Sequence, residues 1–132
     1  MTVYCAGSMN AIAEIKRRVA DLEARCYTVL STWHARDESN ETFLEIATKD
    51  WLELMRAQMV IVNADTPSSS GGYVTEFGGA LMAEKPVIYI SGEGGTMNVF
   101  ASLPSVTIYK TWVDYLSALD SRVKQRQRDR VA

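Results

Sequence analysis

Two observations predict an α/β fold, a three-layer, doubly wound five-stranded parallel sheet with the flavodoxin-like order 2-1-3-4-5. Short apolar runs alternate with amphipathic or capped helical stretches along the chain. The third run, Met59-Val60-Ile61-Val62-Asn63-Ala64, is apolar on both faces, as a central parallel strand must be. Right-handed crossovers then make strands one and three neighbours at the topological switch point. With 132 residues, one domain spanning 1–132 is expected, with a basic tail from about residue 121.

The elements follow in order. Thr2-Val3-Tyr4-Cys5-Ala6 is a short buried strand that ends at Gly7-Ser8. Ile12, Ile15, Val19, Leu22 and Cys26 recur at helical spacing, with Arg17, Arg18, Asp21 and Arg25 largely on other faces. Tyr27 to Thr32 is β-rich and makes strand two; Trp33 to Asn40 is a polar loop. A helix spans roughly Glu41 to Ala57, with a break expected near Thr48-Lys49-Asp50. After strand three come the Asp65–Gly72 loop, a helix carrying Glu76, and a fourth strand over Val87–Ser91. A long loop, Gly92 to Pro104, carries a short apolar insert at Val99-Phe100. Val106-Thr107-Ile108-Tyr109 is strand five, and Thr111 to Asp114 reads as a capping box opening the last helix.

Composition narrows the function. The net charge of −2 gives no global basic field, so no nucleic-acid polymer is expected as a partner. The basic run Arg122 to Arg130 reads as a solvated helix end with cations at the negative pole of the dipole. Cys5 and Cys26 make no disulfide framework and are expected to be reduced core residues of a cytoplasmic protein. One histidine, His34, and no Cys/His cluster argue against a zinc site or a catalytic cysteine. No run is long enough for a membrane span or fits a signal peptide.

Chemistry concentrates on Ser68-Ser69-Ser70-Gly71-Gly72-Tyr73-Val74-Thr75-Glu76-Phe77-Gly78-Gly79-Ala80. A small polar loop leaves strand three and turns into a helix, opposite Gly7–Asn10 at the switch point. Glu76 is expected in that helix's first turn, where the dipole favours the ionised form. An ionised carboxylate suits a nucleophile; a glutamate that merely complements the dipole is the plain alternative. Gly78 and Gly79 each cost a helix about 1 kcal/mol against alanine, which suggests close packing or a need for room.

Val3-Tyr4-Cys5-Ala6-Gly7-Ser8, the Gly72–Ala80 stretch, Lys85-Pro86-Val87-Ile88 and Asn98-Val99-Phe100 resemble the nucleoside 2-deoxyribosyltransferase superfamily, which includes the 2′-deoxynucleoside 5′-phosphate N-hydrolases. The resemblance runs to about Leu119. It implies a retaining double displacement at C1′ of deoxyribose, with Glu76 as nucleophile and a glutamyl-deoxyribosyl ester opened by a second base or by water. It implies that Asp50, eight residues before Gln58, contacts the nucleobase and manages its proton. Tyr4 and Gly7 match the sugar-side loop, and Ser70 matches the position at the sugar 5′ end. A serine there tilts toward a 5′-monophosphate; Met9-Asn10 tilts back, because the hydrolases place an arginine in that loop. Ser8, Ser68, Ser69 and the Gly71-Gly72 amides offer an anion site at the helix start. Asn98 lies where the family reaches into a neighbour's site, so a homodimer or higher homo-oligomer is expected. Trp33 either stacks a base or caps the core. Asp65 has no assigned role. Gln58 and Gly79 depart from the family, the latter replacing a larger residue, often tyrosine or arginine.

The resemblance therefore implies an enzyme that cleaves or transfers the N-glycosidic bond of 2′-deoxynucleosides or their 5′-monophosphates, without metal or organic cofactor. Its partners would be the small-molecule substrate and a free nucleobase. A non-catalytic nucleotide-binding protein on the same scaffold would not need Glu76. A flavodoxin-like flavin domain is weakened because the Ser-Gly-Gly loop follows strand three rather than strand one.

Overall fold

The computed structural model of the protein describes residues 1–66, 72–93 and 98–131. Five parallel strands form one sheet: β1 (Thr2–Ala6), β2 (Thr28–Val29), β3 (Met59–Asn63), β4 (Val87–Ile90) and β5 (Val106–Tyr109). Their order is β2-β1-β3-β4-β5, as the sequence predicts. Tyr4 pairs with Val60 and Cys5 with Ile61, so β1 and β3 lie side by side at the switch point. Every residue of β3 and β4 is buried, which is why both read as unbroken apolar runs.

The helices are α1 (Ile12–Glu23), α2 (Phe43–Arg56), α3 (Gly72–Met82) and α4 (Trp112–Val131). Right-handed crossovers put α1 and α2 on opposite faces. Helix α4 joins α1: Arg25 Nε donates to Asp120 Oδ1 at 2.9 Å, and Trp112 Nε1 donates to Asp21 Oδ2 at 2.9 Å. Helix α3 joins α2, with Gly79 closing on Trp51 and Leu54. Lys85 fastens this second face by donating Nζ to the carbonyls of Met55, at 2.9 Å, and Ala57, near the α2 C-terminus.

Several local expectations are corrected. Helix α1 stops at Glu23 instead of reaching Cys26. Cys26 is exposed with φ 66°, a left-handed turn that redirects the chain into β2. Only Cys5 of the two cysteines is buried. Arg18 is buried among the apolar residues of α1, held by partners described below. Helix α2 starts at a Thr42/Glu45 capping box and runs unbroken through Thr48-Lys49-Asp50, where Thr48 Oγ1 donates back to the Leu44 carbonyl at 2.6 Å. Of the Thr111 box only half is made, Thr111 Oγ1 accepting from Asp114 N at 3.1 Å. Helix α4 carries the basic tail to Val131, exposed throughout residues 121–131. Among the described residues no helix is long and apolar enough to cross a membrane.

Candidate active site

The crevice at the switch point is shaped first by close packing. A Cβ on Gly7 would lie 2.7 Å from Ile15 Cδ1 and 3.6 Å from Asn63 Cβ, so only glycine lets the chain leave β1 this near to α1. Ser8 follows. It is 5% exposed, its hydroxyl accepts from Asn10 N at 3.2 Å, and its own N–H donates to Thr66 Oγ1 at 3.4 Å. It thus caps the turn Met9–Ala11 and ties the loop after β1 to the loop after β3.

Asp65, unassigned from sequence, has a partner here. Arg18 Nη1 and Nη2 donate to its two oxygens at 2.8 and 2.6 Å, and Nη1 also donates to Asn63 Oδ1 at 2.7 Å. Arg18 lies 5.3 Å from the centre of the Trp112 ring. This bidentate pair fixes the end of β3 against α1 and α4.

The carboxyls meet on the other side of the sheet. Asp50, Trp51, Leu54 and Ala47 of α2, with Gly72, Thr75 and Glu76 of α3, line a cavity of about 260 Å³. A larger concavity, about 660 Å³, runs along Lys124, Gln127, Arg128 and Val131 of α4. It is an open stretch of exposed helix with neither a carboxyl nor an aromatic ring, so the smaller, more enclosed cavity is the candidate site.

Glu76 is the fifth residue of α3 as described, not in its first turn, and lies past the free N–H groups that carry the dipole's positive end. Burial therefore decides its charge. It pushes the carboxyl up to about 8; the Tyr4 hydroxyl pulls the other way, and Asp50 and Glu53 add repulsion. Glu76 is thus protonated at neutral pH, against the expectation from the helix end. Tyr4 is wholly buried, and burial together with the Glu76 carboxyl pushes its phenol far above the usual range. Among the described residues Tyr4 Oη and Glu76 Oε2 are both buried without a hydrogen-bond partner of good geometry, while the phenol stands near enough to the carboxyl to hold it down against burial. Two buried polar atoms without a partner, one of them on a residue that lines the cavity, are groups that a ligand would satisfy.

Asp50 is held by a residue the sequence reading passed over. Arg36, in the polar loop after strand two, donates Nη2 to Asp50 Oδ1, with Glu38 4.0 Å away. Burial raises the Asp50 carboxyl and Arg36 lowers it, leaving it above its ordinary value. Arg36 Nε and Nη1 are buried with no partner among the described residues. The only signal for it in the sequence is one arginine in a loop. Trp51 and Thr75 were likewise missed; their place one residue from each carboxyl is the signal that was available.

The structure thus brings Asp50, Glu76 and Gly72 into one cavity with Tyr4 beside it, and Gly7 and Ser8 at the adjoining switch point. It does not bring Trp33 there. That ring is 5% exposed and donates Nε1 to the Cys5 carbonyl at 2.8 Å, so of its two readings the core one describes its place. Asn98 spends its side chain locally, Oδ1 accepting from Phe100 N at 2.9 Å to start the turn Val99–Ser102. Ser70, with Ser68, Ser69 and Gly71, lies outside the described residues. Among the described residues no group of three or more His, Cys, Asp or Glu could hold a metal ion.

No protein-family model matches the chain, and no curated protein matches it. Solved structures do, and they define the class by fold alone: a doubly wound α/β domain. A CMP N-glycosidase from Clostridium botulinum is 21% identical, with a TM-score of 0.65 over 92% of this chain and 99% of that one. A 2-deoxyribosyltransferase from Bacillus psychrosaccharolyticus is 17% identical, with a TM-score of 0.66 over 90% and 96%. A conserved protein from Enterococcus faecalis V583 is 13% identical, with a TM-score of 0.65 over 92% and 98%. At these identities the likeness is one of fold, and it covers nearly the whole of each neighbour.

Proposed function

We propose that the protein is an enzyme of the nucleoside 2-deoxyribosyltransferase kind, cleaving and transferring the N-glycosidic bond of 2′-deoxynucleosides. The observation that carries this is the meeting of Glu76 and Asp50, from two different helices, in one cavity beside the buried Tyr4 hydroxyl. The fold shared with a 2-deoxyribosyltransferase and a CMP N-glycosidase supports it.

Glu76 is the nucleophile. One of its carboxyl oxygens attacks C1′, the C1′–N bond breaks with its electron pair passing to the base, and an ester joins Glu76 to deoxyribose. The site's protonation suits this step. Glu76 holds a proton at neutral pH and must lose it to attack; the departing base must gain one. Asp50, beside Arg36, passes that proton from one to the other, so the reaction consumes no outside acid. The burial that raises the Glu76 carboxyl also favours the ester, which is neutral where a carboxylate would be charged. A second nucleobase then attacks C1′ through a ring nitrogen, the ester's C1′–O bond breaks, and the proton that nitrogen loses returns through Asp50 to Glu76, with retention at the sugar.

A second reading is hydrolysis of 5′-monophosphates, with water opening the ester; the likeness to the CMP N-glycosidase favours keeping it. Incubation with a panel of deoxynucleosides and nucleotides, with and without an acceptor base, decides between them by chromatography. Exchanged base marks transfer and free base marks hydrolysis. Glu76→Ala abolishes either product, and full activity in that variant would refute the nucleophile. Tight binding with no turnover of any substrate would favour a binding protein.

A further inference from the structure

Gly79 is the position where the chain departs from the larger residue expected beside the nucleophile's turn. A Cβ there would lie 2.9 Å from Trp51 Cζ3, 3.0 Å from Trp51 Cη2 and 3.2 Å from Leu54 Cδ2. The tip of the indole fills the volume a side chain would need. Gly78, next to it, has nothing within 4 Å of a Cβ, so the close fit belongs to position 79 alone. Despite this contact Trp51 is 46% exposed. It lines the cavity of Asp50 and Glu76, and also a second concavity of about 420 Å³ with Ala47, Thr48 and Leu52.

We propose that Trp51, seated on α3 by the missing side chain of Gly79, is the platform on which the substrate's nucleobase stacks. The inference rests on the glycosidic reading above and adds the residue that recognises the base. A flat heterocycle stacks on an indole ring, and every base has a π-face to offer. Trp51 and Asp50 are consecutive on α2, so one residue takes the face of the ring while its neighbour takes the edge. Face contact is tolerant of base identity. Purines and pyrimidines therefore both depend on Trp51, and discrimination between them falls to edge contacts.

Fluorescence tests this directly. The other two tryptophans, Trp33 and Trp112, are 5% and 7% exposed, so quenching by an added base reports on Trp51. Free adenine and cytosine are expected to quench the wild-type emission, and 1,2-dideoxyribose, a sugar with no base, is not. Trp51→Leu is expected to lose the quenching and to weaken base binding by about tenfold or more in calorimetry. Trp51→Phe keeps most of the affinity. Gly79→Val, which displaces the indole without altering it, loses affinity as Trp51→Leu does. Thermal melts verify that each variant folds, and Gly79→Val carries the test if Trp51→Leu does not. Unchanged base affinity in Trp51→Leu or Gly79→Val overturns the platform and leaves the glycosidic reading standing if the wild type still turns over. A wild type that neither binds a base nor cleaves any substrate overturns both.

Discussion

Replacing Glu76 with glutamine should make the protein more stable, and by an amount that grows with pH. Burial moves the carboxyl from 4.5 to about 8, so the folded state prefers it neutral. In the unfolded chain the group ionises freely above 4.5. Its favourable contribution is therefore complete in acid and is lost as pH rises from 4.5 through 8. At 1.36 kcal/mol for each pH unit, wild-type stability falls on this account by roughly 2.5 kcal/mol between pH 5 and pH 7, and by roughly 4 kcal/mol between pH 5 and pH 9. Glutamine has the same shape and no proton to lose. Urea unfolding of both proteins at pH 5, 7 and 9 measures the difference, which should widen steadily in favour of Glu76→Gln. A difference that stays constant across that range would refute the raised carboxyl, and with it the proton economy proposed for catalysis. The same variant should be inactive, so stability gained at neutral pH measures what the active site costs the fold.

Three further outcomes follow from the same geometry. The alkaline limb of kcat/KM should fall near 8, reporting the loss of the proton shared by the Glu76 and Asp50 pair, and Tyr4→Phe should move that limb upward by removing the phenol that pulls the carboxyl down. Arg36→Met should raise the Asp50 carboxyl further and shift the acid limb of the profile upward, with Arg36→Lys restoring part of the wild-type curve; carboxyl NMR of Asp50 reads the same shift without substrate. Arg18→Met should destabilise by about 3–5 kcal/mol in urea unfolding, because Asp65 would lose its bidentate partner, and Asp65→Asn in the same chain should recover part of the loss.

Where the sequence is legible, the physics is local. Met59 to Val62 could only be a central strand, and Thr42 with Glu45 marks the start of α2 through a box that both side chains close. Asp50 and Glu76 could be singled out because the motifs around them resemble a family. Their surroundings were hidden because these depend on contacts between distant segments. Arg36 reaches Asp50 across fourteen residues of loop and helix. Glu76's charge is set by how α2 and α3 close over it, which outweighs the helix end that the sequence suggested. Arg18 shows a different failure. It stands at helical spacing from Ile15 and Leu22, on the buried stripe, and its charge disguised a position that periodicity had marked. Asp65 then had no role, because its partner had been placed in solvent.

Helix α4 packs beside α1 through the Arg25–Asp120 pair, and its last turns run on past that contact. From residue 121 onward they are exposed and bear Arg122, Lys124, Arg126, Arg128 and Arg130. These cations are a ready-made handle. An anionic support, or a fused carrier joined to that helix, would capture the protein through residues that take no part in lining the cavity of Asp50 and Glu76.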